Sequence, residues 1–540
     1  MSEQLEADGG RLAAETLRRH DVDTLFTLSG GHLFPLYDGC VKTGIRLVDT
    51  RHEQTATFAA EGWAKVTRRP GAAALTAGPG VTNGVSAITS AYLNGTPMLV
   101  VGGRAPQARW GSGSLQELDH VPIVASITKH AATATAPERI PASVDSALRA
   151  ARTPHRGPTF VDVPLDAWGV ASATVPDAPQ RNALAGAAPD PDAIAAIAKL
   201  VAEADRPVLM VGADVFWAHG EDALRAFAEA ARLPVFANGL GRGLLPADHE
   251  LAFSRVRGTA FRESDLVVVA GTPLDFRLGF GRFGDAKVVQ LADSAGGIAG
   301  VDLAASAAGD LGRVLTGLAE APPGRARDAW VARLRDEEQA RRAAEVADLE
   351  SDASPIRPTR VYGELRRRLD RDAIVIGDGG DFVSYAGKYV DSYQPGGFLD
   401  PGPYGCLGSG SGYALAAALA HPGRQVVVMW GDGALGFSLG DLDTLVRFGA
   451  DVVGIVGNNG IWGLEKHPMQ LIYGYDVVAE LRPGTRYDEV MTALGGHGEL
   501  VSEPDEIGPA LDRAFATRGP SLVNVLTDPA DAYPRSSNLA

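Results

Sequence analysis

The chain has 540 residues, more than one hydrophobic core of roughly 250–300 residues can serve, so two to four domains are expected, with three the chosen number. Hydrophobic residues make up 45% and charged residues 21%, which excludes a disordered or fibrous chain, and a net charge of −16 with no Lys/Arg run argues against a nucleic-acid surface. Only Cys40 and Cys406 occur, which fits a reducing compartment; "MSEQLEADGG" carries no signal-peptide core and no apolar span reaches the roughly 20 residues of a membrane helix, so a cytoplasmic protein without membrane contact is expected.

From the N-terminus, apolar runs recur with helical stretches between them: "TLFTL", "PMLVVGG", "PVLMVGA", "DLVVVAG", "KVVQL", "AIVIGDGG", "QVVVMWGDG", "VVGIVGNNG" and, last, "SLVNVL". Continuous Val/Ile/Leu runs that end in Gly or Asn read as buried parallel strands with loops at their carboxyl ends. Two stretches break the rhythm, a Pro/Ala-rich one near 173–193 and a charged one near 333–360 that ends at prolines. The expectation is an α/β protein of three doubly wound parallel-sheet domains, 1–172, 190–325 and 355–540.

The third block carries the clearest chemistry. "VVVMW" followed by "GDG" puts Asp432 at a strand end between Gly431 and Gly433, and "VVGIVG" followed by "NNG" puts Asn458 and Asn459 at the end of another strand. A carboxylate, an amide oxygen and a nearby backbone carbonyl form a hard-oxygen set suited to Mg²⁺, which keeps water and substrate phosphate as its other ligands. The stretch "ALGFSLGDLDTLVRFG", opening at Ala434, is expected to form a helix whose first amides face the same phosphates. Either turn alone is ordinary; the pair describes a metal-bridged diphosphate site.

At these residues the sequence resembles the thiamine diphosphate enzymes of the acetolactate synthase, pyruvate decarboxylase and oxalyl-CoA decarboxylase group, and "VDTRHEQTATFAAEGWAKVTRRPGAAALTAGPGVTN" extends the likeness to the first block. The resemblance implies that Asp432, the Asn459 side chain and the Ile461 carbonyl hold Mg²⁺, with Ala434, Trp462 and Gly463 beside the cofactor. It implies that Glu53 hydrogen-bonds N1′ of the aminopyrimidine, so that the 4′-imino group can deprotonate C2, while Glu61 is structural. It places Leu407, in "YGCLGSGSGYALAAALA", under the bent cofactor, and Gly379, Gly380 and Asp381 along the diphosphate. Because the first domain of one subunit faces the third domain of another in this group, a homodimer is the minimum and a homotetramer is expected.

Substrate choice rests on three further places. In "NNGIWGLEKHPM" Glu465 is the expected second catalytic group, able to exchange a proton with a substrate oxygen; an ion pair with Lys466 is the plainer alternative. His32 in "LSGGHLFPLYDG" and Gln116 in "GSLQELDHVPIVASITKH" are expected near the substrate, with Glu117 structural. The tail "DPADAYPRSSNLA" is read as a lid, with Arg535 offering a phosphate contact. Together these segments look most like the actinobacterial-type 2-hydroxyacyl-CoA lyases, which cleave 2-hydroxyisobutyryl-CoA and relatives to a ketone or aldehyde plus formyl-CoA. That reading expects an acyl-CoA substrate, and ADP or the CoA nucleotide rather than FAD in the central domain, with Arg277 and Asp293 as candidate contacts. The alternatives are an acetolactate synthase with FAD, an oxalyl-CoA decarboxylase, and a degenerate scaffold; the last is disfavoured because Glu53, Asp432 and Asn459 are all retained.

Overall fold

A computed structural model describes residues 3–177, 186–321 and 324–533. Each apolar run named above becomes a parallel strand, and the strands assemble into three sheets. The first has the order Arg46–Asp49, Thr24–Thr27, Gly71–Leu75, Met98–Arg104, Pro158–Pro164, Ala131–Thr133. The third has the order Phe398–Leu399, Ile374–Asp378, Val426–Gly431, Val453–Asn458, Ser521–Leu526, His497–Val501. Counted from the first strand of each unit, both read 2-1-3-4-6-5. The central sheet, Val235–Ala237, Pro207–Val211, Leu266–Ala270, Lys287–Ala292, Ala305–Ala308, reads 2-1-3-4-5. In all three the order reverses between the first and third strands, which opens a crevice at their carboxyl ends where ligands bind in doubly wound folds.

The strand Val170–Val175 pairs antiparallel with Glu3–Asp8 and so extends the first unit past residue 172. The stretch expected as one helix from Ala434 is instead two short helices, Asp432–Ser438 and Leu442–Arg447, joined by a 3-10 turn. Among the described residues no helix is long and apolar enough to cross a membrane.

The first and third units pack on each other through two helices, Glu53–Thr67 and Gly410–Ala420. Their approach is close enough that a Cβ on Gly62 would lie 2.9 Å from the Tyr413 Cα, and one on Gly412 would lie 2.7 Å from the Phe58 Cβ. Burial at this seam would leave Glu61 without water, so its carboxylate is matched on every side: Lys65 Nζ at 2.8 Å, Tyr413 OH at 2.8 Å and Asn94 Nδ2 at 2.9 Å. Lys65 Nζ also donates to Tyr413 OH at 2.8 Å. Glu61 therefore has the structural role expected of it.

Removing one partner of a fully buried ion pair strands the other charge. Glu61→Ala is expected to lower the unfolding free energy by about 3–5 kcal/mol, read by urea titration; a loss under about 1 kcal/mol, the range of exposed pairs, would show that the seam is not held electrostatically.

Candidate active site

The crevice of the third sheet lies between Ile374–Asp378 and Val426–Gly431, and the residues singled out from the sequence meet there. A cavity of about 350 Å³ is lined by Gly379, Gly380 and Asp381, by Leu407, by Gly431, Asp432, Gly433 and Ala434, and by Asn459, Ile461, Trp462, Gly463 and Glu465. Three loops interlock around it. A Cβ on Gly379, which has φ +97°, would sit 2.5 Å from the Ala434 Cβ. One on Gly433 would sit 2.4 Å from the Trp462 ring. Gly379 and Gly433 are thus demanded by neighbouring loops, whereas a Cβ on Gly431 would meet nothing within 4 Å.

Asp432 is 3% exposed, and its two carboxylate oxygens accept from Gly433 N at 2.9 Å and Gly460 N at 2.8 Å. Burial pushes its pKa up to about 6 despite these two donors. Asn459 Oδ1 accepts from Ile461 N at 3.2 Å, which folds the asparagine back over the turn. Asn458 points the other way, its Nδ2 donating to Asn524 Oδ1 at 3.0 Å and to the Thr485 carbonyl at 2.9 Å. A buried carboxylate held by backbone N–H groups, with the Asn459 amide and the Ile461 main chain in the lining of the same cavity, offers hard oxygen donors of the kind that fit Mg²⁺. Glu465 lines the same cavity, and Lys466 is paired with Glu480 and Asp476 instead, leaving Glu465 without an ion-pair partner among the described residues.

One residue the sequence reading passed over holds this site together. Asp378, 0% exposed at the end of its strand, accepts from Gly408 N at 3.1 Å and Gly410 N at 2.8 Å, and so fixes the loop that presents Leu407. Burial pushes its pKa up to about 6 as well. It was visible as the aspartate of "GDGG", but nothing nearby in sequence pointed to residues 408 and 410.

The first sheet forms a second crevice. Glu53 opens its helix after Arg46–Asp49, is 6% exposed, and accepts at Oε2 from Asn83 Nδ2 at 3.0 Å. His32 follows the neighbouring strand Thr24–Thr27, is buried, and lies 3.3 Å by Nδ1 from Thr76 Oγ1; burial, helped by nearby His120, lowers its pKa. Gln116 sits beside Gly78 with a left-handed backbone, φ +60°. Glu117 accepts from Gly111 N at 3.0 Å and Ser114 N at 3.3 Å, the structural role expected of it. Glu53, His32, Asn83 and Gln116 all follow adjacent parallel strands and so share one edge. Within the single chain, however, the residues around the Asp432 cavity all come from 358–531, and Glu53 does not line it.

The central unit borders two further cavities. One, of about 590 Å³, is lined by Lys65, His155, Asp214 and Arg277, but the Arg277 guanidinium is clamped on Asp275 at 2.6 Å. Asp293 does not line that cavity itself but pairs with one of its lining residues, His155 Nδ1, at 3.3 Å, with Arg156 Nη1 at 3.8 Å. The other cavity, of about 1000 Å³, lies between the central and third units and is rich in cations: Arg242, Arg255, Arg257, Arg341, Arg342 and Lys388. Arg535 and the rest of the tail beyond Tyr533 lie outside the described residues. The last described stretch docks onto the third unit, with Asp531 on Arg357 at 2.8 Å and the Tyr533 ring edge-on to Tyr385 at 4.9 Å.

Three sequence profiles of thiamine pyrophosphate enzymes match this chain: the N-terminal TPP binding domain over residues 7–123, the central domain over 194–318 and the C-terminal TPP binding domain over 378–525. An acetolactate synthase large subunit of Mycobacterium tuberculosis is 55% identical, with 98% of each chain covered. A 2-hydroxyacyl-CoA lyase 2 of Caenorhabditis elegans is 33% identical, covering 98% of this chain and 91% of its own. The human 2-hydroxyacyl-CoA lyase 2 is also 33% identical, over 92% of this chain and 86% of its own.

Asp378 gives a pH signature. Its pKa is higher in the folded chain than the roughly 3.9 of an unfolded aspartate, so folding takes up a proton between those values. Its contribution is fully present below about pH 4 and is lost as pH rises through 6. Asp378→Asn is expected to flatten this limb of the stability curve, measured by urea unfolding between pH 4 and 7; an unaltered slope would mean that Asp378 does not titrate there.

Proposed function

Because this chain belongs to the thiamine pyrophosphate enzyme family, we propose that it is a thiamine diphosphate- and Mg²⁺-dependent 2-hydroxyacyl-CoA lyase, cleaving substrates such as 2-hydroxyisobutyryl-CoA reversibly to a ketone or aldehyde and formyl-CoA. One observation carries the choice of substrate. The cation-rich cavity shares Val383 and Ser384 with the cavity around Asp432, so a polyphosphate group and the reacting centre of one long molecule fit on opposite sides of a single wall. Four of the six cations are paired, Arg255 and Lys388 with Glu345, Arg341 with Glu337 and Arg342 with Glu338 and Asp391, and a pair of pyruvates has no use for the remaining two, Arg242 and Arg257. Arg257 Nη1 donates to Asn238 Oδ1 at 2.9 Å and Arg242 Nη1 to the Gly387 carbonyl at 2.7 Å, whereas Arg342 is tied to Asp391 and Glu338. Burial lowers the Arg257 pKa, the position of a cation that gains most from an anion.

In this reading Asp432, Asn459 and the Ile461 carbonyl hold the metal, and the Gly379 and Gly380 amides face the diphosphate. Leu407 supports the bend between the cofactor rings. The bound cofactor supplies an electron sink for the carbon that leaves as formyl. Glu53 comes from a second copy of the chain, which explains why the Asp432 cavity lacks it. Leu471 and Val478, 86% and 96% exposed on the segment that follows Glu465, are apolar surface such a copy would cover. Asn83 occupies one oxygen of Glu53, so the other exchanges the proton with the aminopyrimidine. Glu465 takes the substrate's alcohol proton as the C–C bond breaks, and that proton is made good on the formyl carbon. His32 and Gln116 orient the substrate oxygens. The 590 Å³ cavity takes a nucleotide such as ADP.

An acetolactate synthase is the second reading, favoured by the name of the 55% identical relative. Purified protein without a flavin absorption band that forms formyl-CoA from 2-hydroxyisobutyryl-CoA supports the lyase; tightly bound flavin together with acetolactate from pyruvate overturns it. Glu53→Gln and Glu465→Gln should each lower turnover by about 10²–10⁴-fold with thiamine diphosphate still bound; full lyase activity of Glu465→Gln would remove its role. Arg257→Ala should raise KM for the acyl-CoA about tenfold, the cost of one charged hydrogen bond, and leave KM for a pantetheine thioester unchanged. Equal effects on both substrates would take the nucleotide out of this cavity.

A further inference from the structure

We propose that His120, held by Asp162 as the tautomer protonated at Nδ1, is a positioning residue that joins the Gln116 segment to the turn carrying Asn83 and thereby aims Glu53. His120 and Asp162 are both 0% exposed. His120 Nε2 lies 2.9 Å from Gly78 N, and an amide N–H only donates, so Nε2 carries no proton. The ring proton is on Nδ1 and is given to Asp162 Oδ2 at 3.0 Å. The same carboxylate oxygen accepts from Arg104 Nη1 at 3.0 Å, so the aspartate charge is balanced within the sheet edge. Arg104 continues outward to Asp119 at 3.0 Å and lies over the Trp110 ring at 4.0 Å.

What the imidazole holds is a joint between two active-site elements. Gly78 has φ +61°, and the place of its absent Cβ is occupied by Gln116, whose Cβ and carbonyl would lie 3.0 and 3.1 Å away. One residue on, Pro79 opens the short helix Pro79–Asn83, and Asn83 Nδ2 reaches Glu53 Oε2 at 3.0 Å. The path therefore runs from Asp162 through His120 to the Gly78 turn and on to Asn83 and Glu53. His120 touches neither substrate nor cofactor, and its effect passes through Gly78. A packed histidine needs neither a fixed tautomer nor an acceptor aimed at a left-handed glycine.

The inference rests on the role given to Glu53, and its test separates the two. His120→Phe keeps the ring and loses the acceptor for Gly78, while His120→Gln keeps an acceptor and a donor. In the full-length protein loaded with thiamine diphosphate and Mg²⁺, hydrogen–deuterium exchange at the cofactor C2 is read by quenched NMR. His120→Phe should slow exchange about 10- to 100-fold with unchanged cofactor affinity, as a misplaced catalytic group does, and His120→Gln should restore most of it. Exchange at the unaltered rate in a folded His120→Phe overturns the proposal. Glu53→Gln is the control: if it leaves exchange unaffected, the reading of Glu53 fails, whatever His120 does. Should His120→Phe not fold, ¹⁵N-histidine NMR of the cofactor-free wild-type protein decides. Nδ1 protonated and Nε2 bare supports the proposal; the reverse tautomer, or an imidazolium, overturns it.

Discussion

Everything in this molecule depends on how closely the helices Glu53–Thr67 and Gly410–Ala420 approach each other. Gly62 and Gly412 leave no room for a side chain between them, and the charge that this burial traps is settled among Glu61, Lys65 and Tyr413. The first of these helices starts at Glu53, and the second follows directly on the loop that presents Leu407. The two helix starts lie together at one end of this seam, where Gln54 Nε2 donates to the Leu407 carbonyl at 3.3 Å. Fixing such groups on packed helices rather than on free loops is what keeps them within the small tolerances that catalysis demands.

The two six-stranded sheets use one strand order for different ends. In the third sheet the crevice at the order reversal is filled by buried carboxylates, Asp378 and Asp432, each facing backbone N–H groups. In the first sheet the same crevice presents the titratable side chains Glu53 and His32, steadied by Asn83 and Thr76. In the proposed reading the chemistry divides as the fold does, with the third-sheet edge assigned to phosphate and metal and the first-sheet edge to proton handling. Each edge has its own buried aspartate behind it, Asp378 behind the Leu407 loop and Asp162 behind His120.

Much of this was legible in the residues, and the gaps have physical causes. Val/Ile/Leu runs such as "QVVVMW" and "DLVVVA" announce buried parallel strands because both faces of such strands are covered. Gly71–Leu75, "GAAAL", is just as buried, yet alanine carries no strand signal, so its strand emerges only in the sheet. Asp432, Asn459 and Leu407 were found because short motifs mark them. His120 was not, because its meaning comes from Asp162 and Gly78, each 42 positions away. The cation-rich cavity was equally hidden: Arg257, Arg342 and Lys388 belong to separate helices that only the folded chain brings together. The helix expected from Ala434 is interrupted at the 3-10 turn Leu439–Asp441, which holds Gly440, and so forms two short pieces.

The glycine seam also governs how this protein could be recombined with its relatives. A crossover placed in either connecting stretch and inherited by one outer unit alone would mate a Gly62 surface with a foreign helix, where a single methyl at position 412 collides with Phe58. The outer units therefore form one heritable block despite lying at opposite ends of the chain. The central unit, which meets them across two cavities and ion pairs such as Arg68 with Glu221 and Arg342 with Asp391, is the module that breeding by chimera can exchange.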